Sequence, residues 1–165
     1  MSGITLTPRP LTRERFAAYG EVIEGGPAAT TAMNDARFDR FDDLCGVDPG
    51  DGRVAVSIAT SRVATSLPYV IELVERHPLG SQAFVPLSPC RMLVVVAPPG
   101  EAVAAADLEA FESNGRQGIN YRVGTWHMPL IALEPGQRFL VIDRAPDRPN
   151  CDVHELDEPV TLVEA

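Results

Sequence analysis

The chain has 165 residues and a formal charge of −9, enough length for one domain with a buried core and the wrong sign for gripping nucleic acid or anionic lipid, which takes clustered cations. All 14 basic residues are arginine, so the absence of lysine excludes Schiff-base chemistry and a lysine general base. Cys45, Cys90 and Cys151 are odd in number and lack CxxC spacing, which argues against a disulfide framework or structural zinc and fits a reducing cytoplasm.

From the N-terminus, Met1 to Phe16 carries prolines and charges where a signal peptide needs an apolar stretch. Thr12 is placed to cap a short helix over Arg13 to Tyr19, stopped by Gly20. Gly25-Gly26-Pro27 then opens a loop. The acidic stretch Gly46 to Arg53 lacks the alternating ligands and terminal glutamate of a calcium loop and reads as surface. Strands are expected over Arg53 to Val63, Tyr69 to His77, Ala83 to Leu87 and Met92 to Ala97. The longest apolar run, Leu93 to Ala97, falls far short of the roughly 20 residues that span a bilayer. Asp107 is placed to cap a second helix over Leu108 to Ser113, stopped by Asn114-Gly115, and strands follow over Ile119 to Val123, Leu130 to Leu133 and Arg138 to Asp143. Short strands divided by 15 prolines and 13 glycines point to an all-β jelly-roll barrel with a few short helices.

One of the three histidines, His77, sits in a strand-turn-strand pattern, Glu75 to Pro86, and a second, His127, follows some fifty residues later beside Trp126. Alternation puts Ile71, Leu73, Glu75 and His77 on one face, with Val70, Glu72, Val74 and Arg76 on the other. If the first set faces inward, Glu75 and His77 enter the barrel, and after the Pro78-Leu79-Gly80-Ser81 turn Gln82 returns on the same face. A buried carboxylate needs a partner, so Glu75 calls for His77, an arginine or a cation. The competing reading is a helix over Tyr69 to Arg76 with Glu72 and Arg76 as an exposed pair. Trp126-His127 taken alone reads as packing, and His154 in the acidic tail reads as a surface residue.

The spacing Glu75-x-His77-x4-Gln82 resembles the first cupin motif, HxHx(4)E, with glutamate and glutamine substituted. Arg122-x-Gly124-x-x-His127 resembles the second, PxGxxH, with arginine in the proline position. From about Phe16 to Asp152 the chain resembles the bacterial ureidoglycolate lyases. The resemblance is carried by Phe16 to Gly20, Glu75 to Gly80, Gln82 to Phe84, Asn114-Gly115, Gln117-Gly118, Asn120-Tyr121, Trp126-His127, Ile142 to Arg144 and Asn150 to Asp152, and more loosely by Asn34 and Arg40.

The resemblance implies a cupin-type double-stranded β-helix, a homodimer, and cleavage of (S)-ureidoglycolate to glyoxylate and urea in allantoin breakdown. It also implies a divalent ion, nickel being the one suggested, and no organic cofactor. Glu75, His77 and His127 are then the catalytic candidates, Glu75, His77, Gln82 and His127 the metal ligands, and Gln82, Asn34, Arg40 and Arg144 the substrate contacts. Two other readings compete. Two histidines with a carboxylate also fit an iron-dependent cupin dioxygenase or isomerase, marked by oxygen uptake. A non-catalytic cupin could bind a small acid through shape and an arginine alone.

Overall fold

Runs of β-branched and small apolar residues, cut by proline and glycine, form strands wherever one face can be buried. The computed structural model describes residues 3–165. Its strands are β1 (Ile4–Leu6), β2 (Arg9–Pro10), β3 (Gly20–Ile23), β4 (Thr31–Met33), β5 (Phe38–Arg40), β6 (Val54–Thr60), β7 (Tyr69–Arg76), β8 (Gln82–Pro86), β9 (Leu93–Ala97), β10 (Glu109–Glu112), β11 (Gly118–Tyr121), β12 (Trp126–His127), β13 (Arg138–Arg144) and β14 (Asp152–Leu162). A seven-stranded sheet in the order β1-β14-β7-β12-β9-β10-β2 and a five-stranded sheet in the order β3-β11-β8-β13-β6 form the cupin-type barrel, and β4 and β5 make a separate hairpin. Among the described residues, no helix is long and apolar enough to cross a membrane.

β9 explains how the core divides. All five of its residues are buried, as a strand covered on both faces requires. Val94 and Val96 pack with Phe84, Phe111, Ile119, Tyr121 and Phe139 between the sheets, whereas Leu93, Val95 and Ala97 pack with Ile71, Val74, Trp126, Val160 and Leu162 on the other face. Phe16 closes the inter-sheet core, its ring edge-on to Phe111 with centroids 6.0 Å apart.

Several expectations need correction. The helix capped by Thr12 is a single turn, Arg13–Phe16, because Phe16 is already in the core and the chain must turn into β3. Leu108 to Ser113 is not helical. Asp107 accepts a hydrogen bond from the Ala104 amide and ends a 3-10 turn, and β10 then pairs antiparallel with β9 and parallel with β2, so ladder bonds prevail over local helix spacing. Leu130 to Leu133 forms no strand; it packs as irregular chain against the two core clusters. In β7, Val74 is fully buried rather than outward-facing, and it shares an apolar cluster with Ile71. Strict alternation therefore fails between these two residues, where the partner strand β14 shifts register between Glu155 and Val160. His154 is partly covered, its ring 6.0 Å from that of Trp126.

The Gly46 to Arg53 loop is bound to the barrel instead of lying free. Ser81 and Asp48 exchange backbone and hydroxyl hydrogen bonds, and the Arg144 guanidinium donates to Pro49 O, Asp51 and, through two nitrogens, Asp147. Gly52 is required here, since a Cβ would lie 2.6 Å from Arg144 Cζ.

Candidate active site

Glu75 and His127 are direct cross-strand partners on β7 and β12, and His77 follows just past the end of β7. On strands this pairing points both side chains to the same face, and it is the face of Val96, between the sheets. One ligand atom from each of Glu75, His77 and His127 lies within 4.8 Å of the others. The imidazole centroids are 5.2 Å apart, and Glu75 Oε1 is 3.9 Å from His127 Nδ1. The helical alternative for Tyr69 to Arg76 is thereby excluded. Arg76, on the other face, lies over the Trp126 ring and pairs with Asp152 and Glu101.

Each imidazole is oriented by the backbone. His77 Nδ1 donates to Asn150 O at 2.7 Å and His127 Nδ1 to Met128 O at 3.1 Å. A proton committed to Nδ1 leaves Nε2 as a bare lone pair, and neither Nε2 has a partner although both are buried. A backbone carbonyl holding Nδ1–H in this way is what metal-binding or proton-accepting histidines need. Burial and the neighbouring His77 pull the His127 pKa down to about 3, against a weaker upward pull from Met128 O. His127 is therefore neutral and unsuited to carrying a proton. Tyr121 stacks on it at 4.2 Å and 10°, its phenol pushed above the ordinary tyrosine range by burial and then by Glu75. Cys151 Sγ lies 3.5 Å from Glu75 Oε2, and burial followed by that carboxylate pushes the thiol up to about 11, so it remains a thiol.

Gln82 lies in the same chamber, since it pairs with Tyr121 across β11 and with Asp143 across β13. Its Nε2 donates to Asp143 Oδ2 at 3.1 Å, and its Oε1 is buried without a partner. The expected substrate contacts on other segments are not brought to this cluster. Arg144 follows inward-facing Asp143 and so points to the outer face of β13, with a side chain 2% exposed and its donors taken by Pro49 O, Asp51 and Asp147. Asn34, in the left-handed region at φ 55°, and Arg40, paired with Asp42 at 2.6 Å, belong to the exposed hairpin. Arg122 donates to the carbonyls of Ala17 and Ala18.

Tyr121, Asp143, Asn150 and Cys151 are residues whose part in the site was not evident from sequence. Each lies in a segment that carried the family resemblance, but only the strand pairings reveal what it touches. A cavity of about 610 Å³ lined by Thr65, Cys90, Glu134 and Gln137 lies elsewhere and has none of this chemistry.

Three partnerless acceptors and a carboxylate suit a cation or a donor-rich ligand. An ion roughly 2.1 Å from each ligand would hold them at most about 4.2 Å apart, so the observed triad needs to close by well under an ångström. The donor set thus fits a divalent cation. Fold and site together define a cupin-type barrel that brings a carboxylate and two imidazoles together, an enzyme-like centre. The chain belongs to the ureidoglycolate lyase family, whose profile matches residues 3–163. It is 41% identical over 160 residues to the ureidoglycolate lyase of Pseudomonas putida strain F1, a match covering 96% of each chain. It is 43% identical to that of Pseudomonas syringae pv. tomato, covering 96% of this chain and 94% of the relative. The Azotobacter vinelandii ureidoglycolate lyase is 44% identical over 96% of both.

Proposed function

We propose that this protein cleaves (S)-ureidoglycolate to glyoxylate and urea, within the breakdown of allantoin. The observation that carries the reading is the convergence of Glu75, His77 and His127 with both Nε2 lone pairs unpartnered, in a chain of this family. Ureidoglycolate holds a hydroxyl and a ureido nitrogen on one carbon. Removing the hydroxyl proton drives its electron pair into a new carbonyl, and the carbon–nitrogen bond breaks as the departing nitrogen takes a proton.

His77 is the better placed base. It is only half-buried, and its Nδ1–H donation to Asn150 O fixes the tautomer and steadies the imidazolium as charge develops. The same imidazolium then returns the proton to the leaving urea nitrogen, which balances the reaction with one group. His127, held neutral, orients or ligates instead of donating. Glu75, His77 and His127 are the residues that would hold a divalent ion, nickel being the one the family resemblance suggests. Bound there, such an ion would supply positive charge for the substrate's carboxylate and hydroxyl. Were His77 Nε2 to hold that ion, the Glu75 carboxylate oxygen left free of it would be the base instead.

Incubation with racemic ureidoglycolate, following urea and glyoxylate above spontaneous decay, tests the reading. Ammonia and carbon dioxide in place of urea would make the protein a hydrolase, and no turnover would sink the assignment. We also assign the protein to the cytoplasm as a homodimer. The exposed Val54, Val56 and Ile58 on edge strand β6 support self-association, which sedimentation would measure.

A further inference from the structure

We infer that Asp143 is a positioning residue that turns Gln82 into a one-way acceptor for the terminal amide of the substrate's ureido arm. This rests on the ureidoglycolate reading above.

An amide side chain can present either its oxygen or its nitrogen to a ligand, and nothing in a glutamine by itself decides which. Here the cross-strand neighbour decides. Gln82 and Asp143 face each other on β8 and β13, and the amide nitrogen donates to Asp143 Oδ2 at 3.1 Å. An ionised carboxylate only accepts, so turning the amide over would set oxygen against oxygen. Oε1 is therefore directed away from Asp143, buried and without a donor among the described residues. Gln82 also pairs with Tyr121, whose ring stacks on His127, so this free oxygen belongs to the chamber holding the Glu75, His77 and His127 cluster.

A neutral amide oxygen is a weak ligand beside two imidazoles and a carboxylate, and those three already cluster without it. The substrate offers the matching group. With carboxylate and hydroxyl at the cluster, the ureido arm carries N–H donors outward from the reacting carbon. A buried acceptor left without a donor discriminates strongly against analogues that lack one.

The test uses N-carbamoylglycine and N-acetylglycine, which differ in having an amide NH2 or a methyl at one end, as inhibitors of ureidoglycolate turnover. The wild-type protein is expected to bind the carbamoyl compound about 10-fold more tightly, the size of one buried hydrogen bond. Gln82→Ala and Asp143→Asn should each reduce that preference to within about two-fold, since asparagine can donate to Gln82 and no longer fixes its amide. Divalent-ion content, measured on the same folded samples, should not change. A preference retained in either variant, or absent from an active wild type, overturns the inference, as does loss of the ion together with the preference, which would make Gln82 a metal ligand. If Asp143→Asn does not fold, Gln82→Ala carries the comparison. A wild type inactive on ureidoglycolate would instead overturn the proposed function.

Discussion

Replacing His127 with glutamine should flatten the acid side of the protein's stability profile. In the folded chain the imidazole is pulled from 6.5 to about 3, chiefly by burial, whereas in the unfolded chain it titrates normally. Above about pH 6.5 both states are neutral and the group contributes no pH dependence. As pH falls below that value the unfolded state binds a proton that the folded state refuses until about pH 3, so stability declines across this window. The slope is ~1.4 kcal/mol per pH unit, which amounts to ~2 kcal/mol lost at about pH 5. The assay is urea unfolding of metal-stripped protein at about pH 7.5 and about pH 5, wild type against His127→Gln. The wild type should lose about 2 kcal/mol more than the variant between the two conditions. Parallel losses would show that His127 is not held neutral in the fold.

His77→Ala should cut urea release by roughly 100-fold with circular dichroism unchanged, because the Nε2 lone pair is lost whether it takes the proton or holds the ion. Near-normal turnover would remove His77 from the chemistry. Phe16→Ala should lower unfolding free energy by roughly 3–5 kcal/mol, because the ring is fully buried among Tyr19, Phe111 and Tyr121 and cannot be replaced by solvent. A urea midpoint close to wild type would contradict that packing. Stripping divalent ions with a chelator should abolish turnover and readdition restore it; full activity in stripped protein would show that His77 does the acid–base work without an ion.

Much of the barrel was legible because its central strands combine β-branched residues with proline or glycine at their ends. β6, β7, β8, β9, β11 and β13 lie within about three residues of where the pattern puts them. β10 was misread because Leu108 and Phe111 stand three apart, a spacing helices share, and only pairing with β9 overrides it. β14 was missed for a different reason. Much of its surface is exposed and charged, so it shows no core-facing run until Val160 and Leu162. At the site, Glu75, His77 and His127 could be grouped from motif spacing, and Gln82 could be placed beside them. The orienting contacts of Asn150, Asp143 and Tyr121 could not, because each is a register fact that depends on which strands become neighbours. Arg144 shows the limit most plainly. A one-position step along β13 separates a residue in the chamber from one on the outside, and a segment-level resemblance does not resolve that step.

Arg76, Arg122 and Arg144 all donate elsewhere, and the partnerless atoms in the chamber are acceptors. A monoanionic substrate arriving at the bare protein thus meets Glu75 with none of these three arginines turned to offset it. If a cation occupies this centre, binding acquires an obligatory sequence, cation before acid, and substrate inhibition constants measured on stripped and loaded protein should diverge far more than those for an uncharged urea analogue.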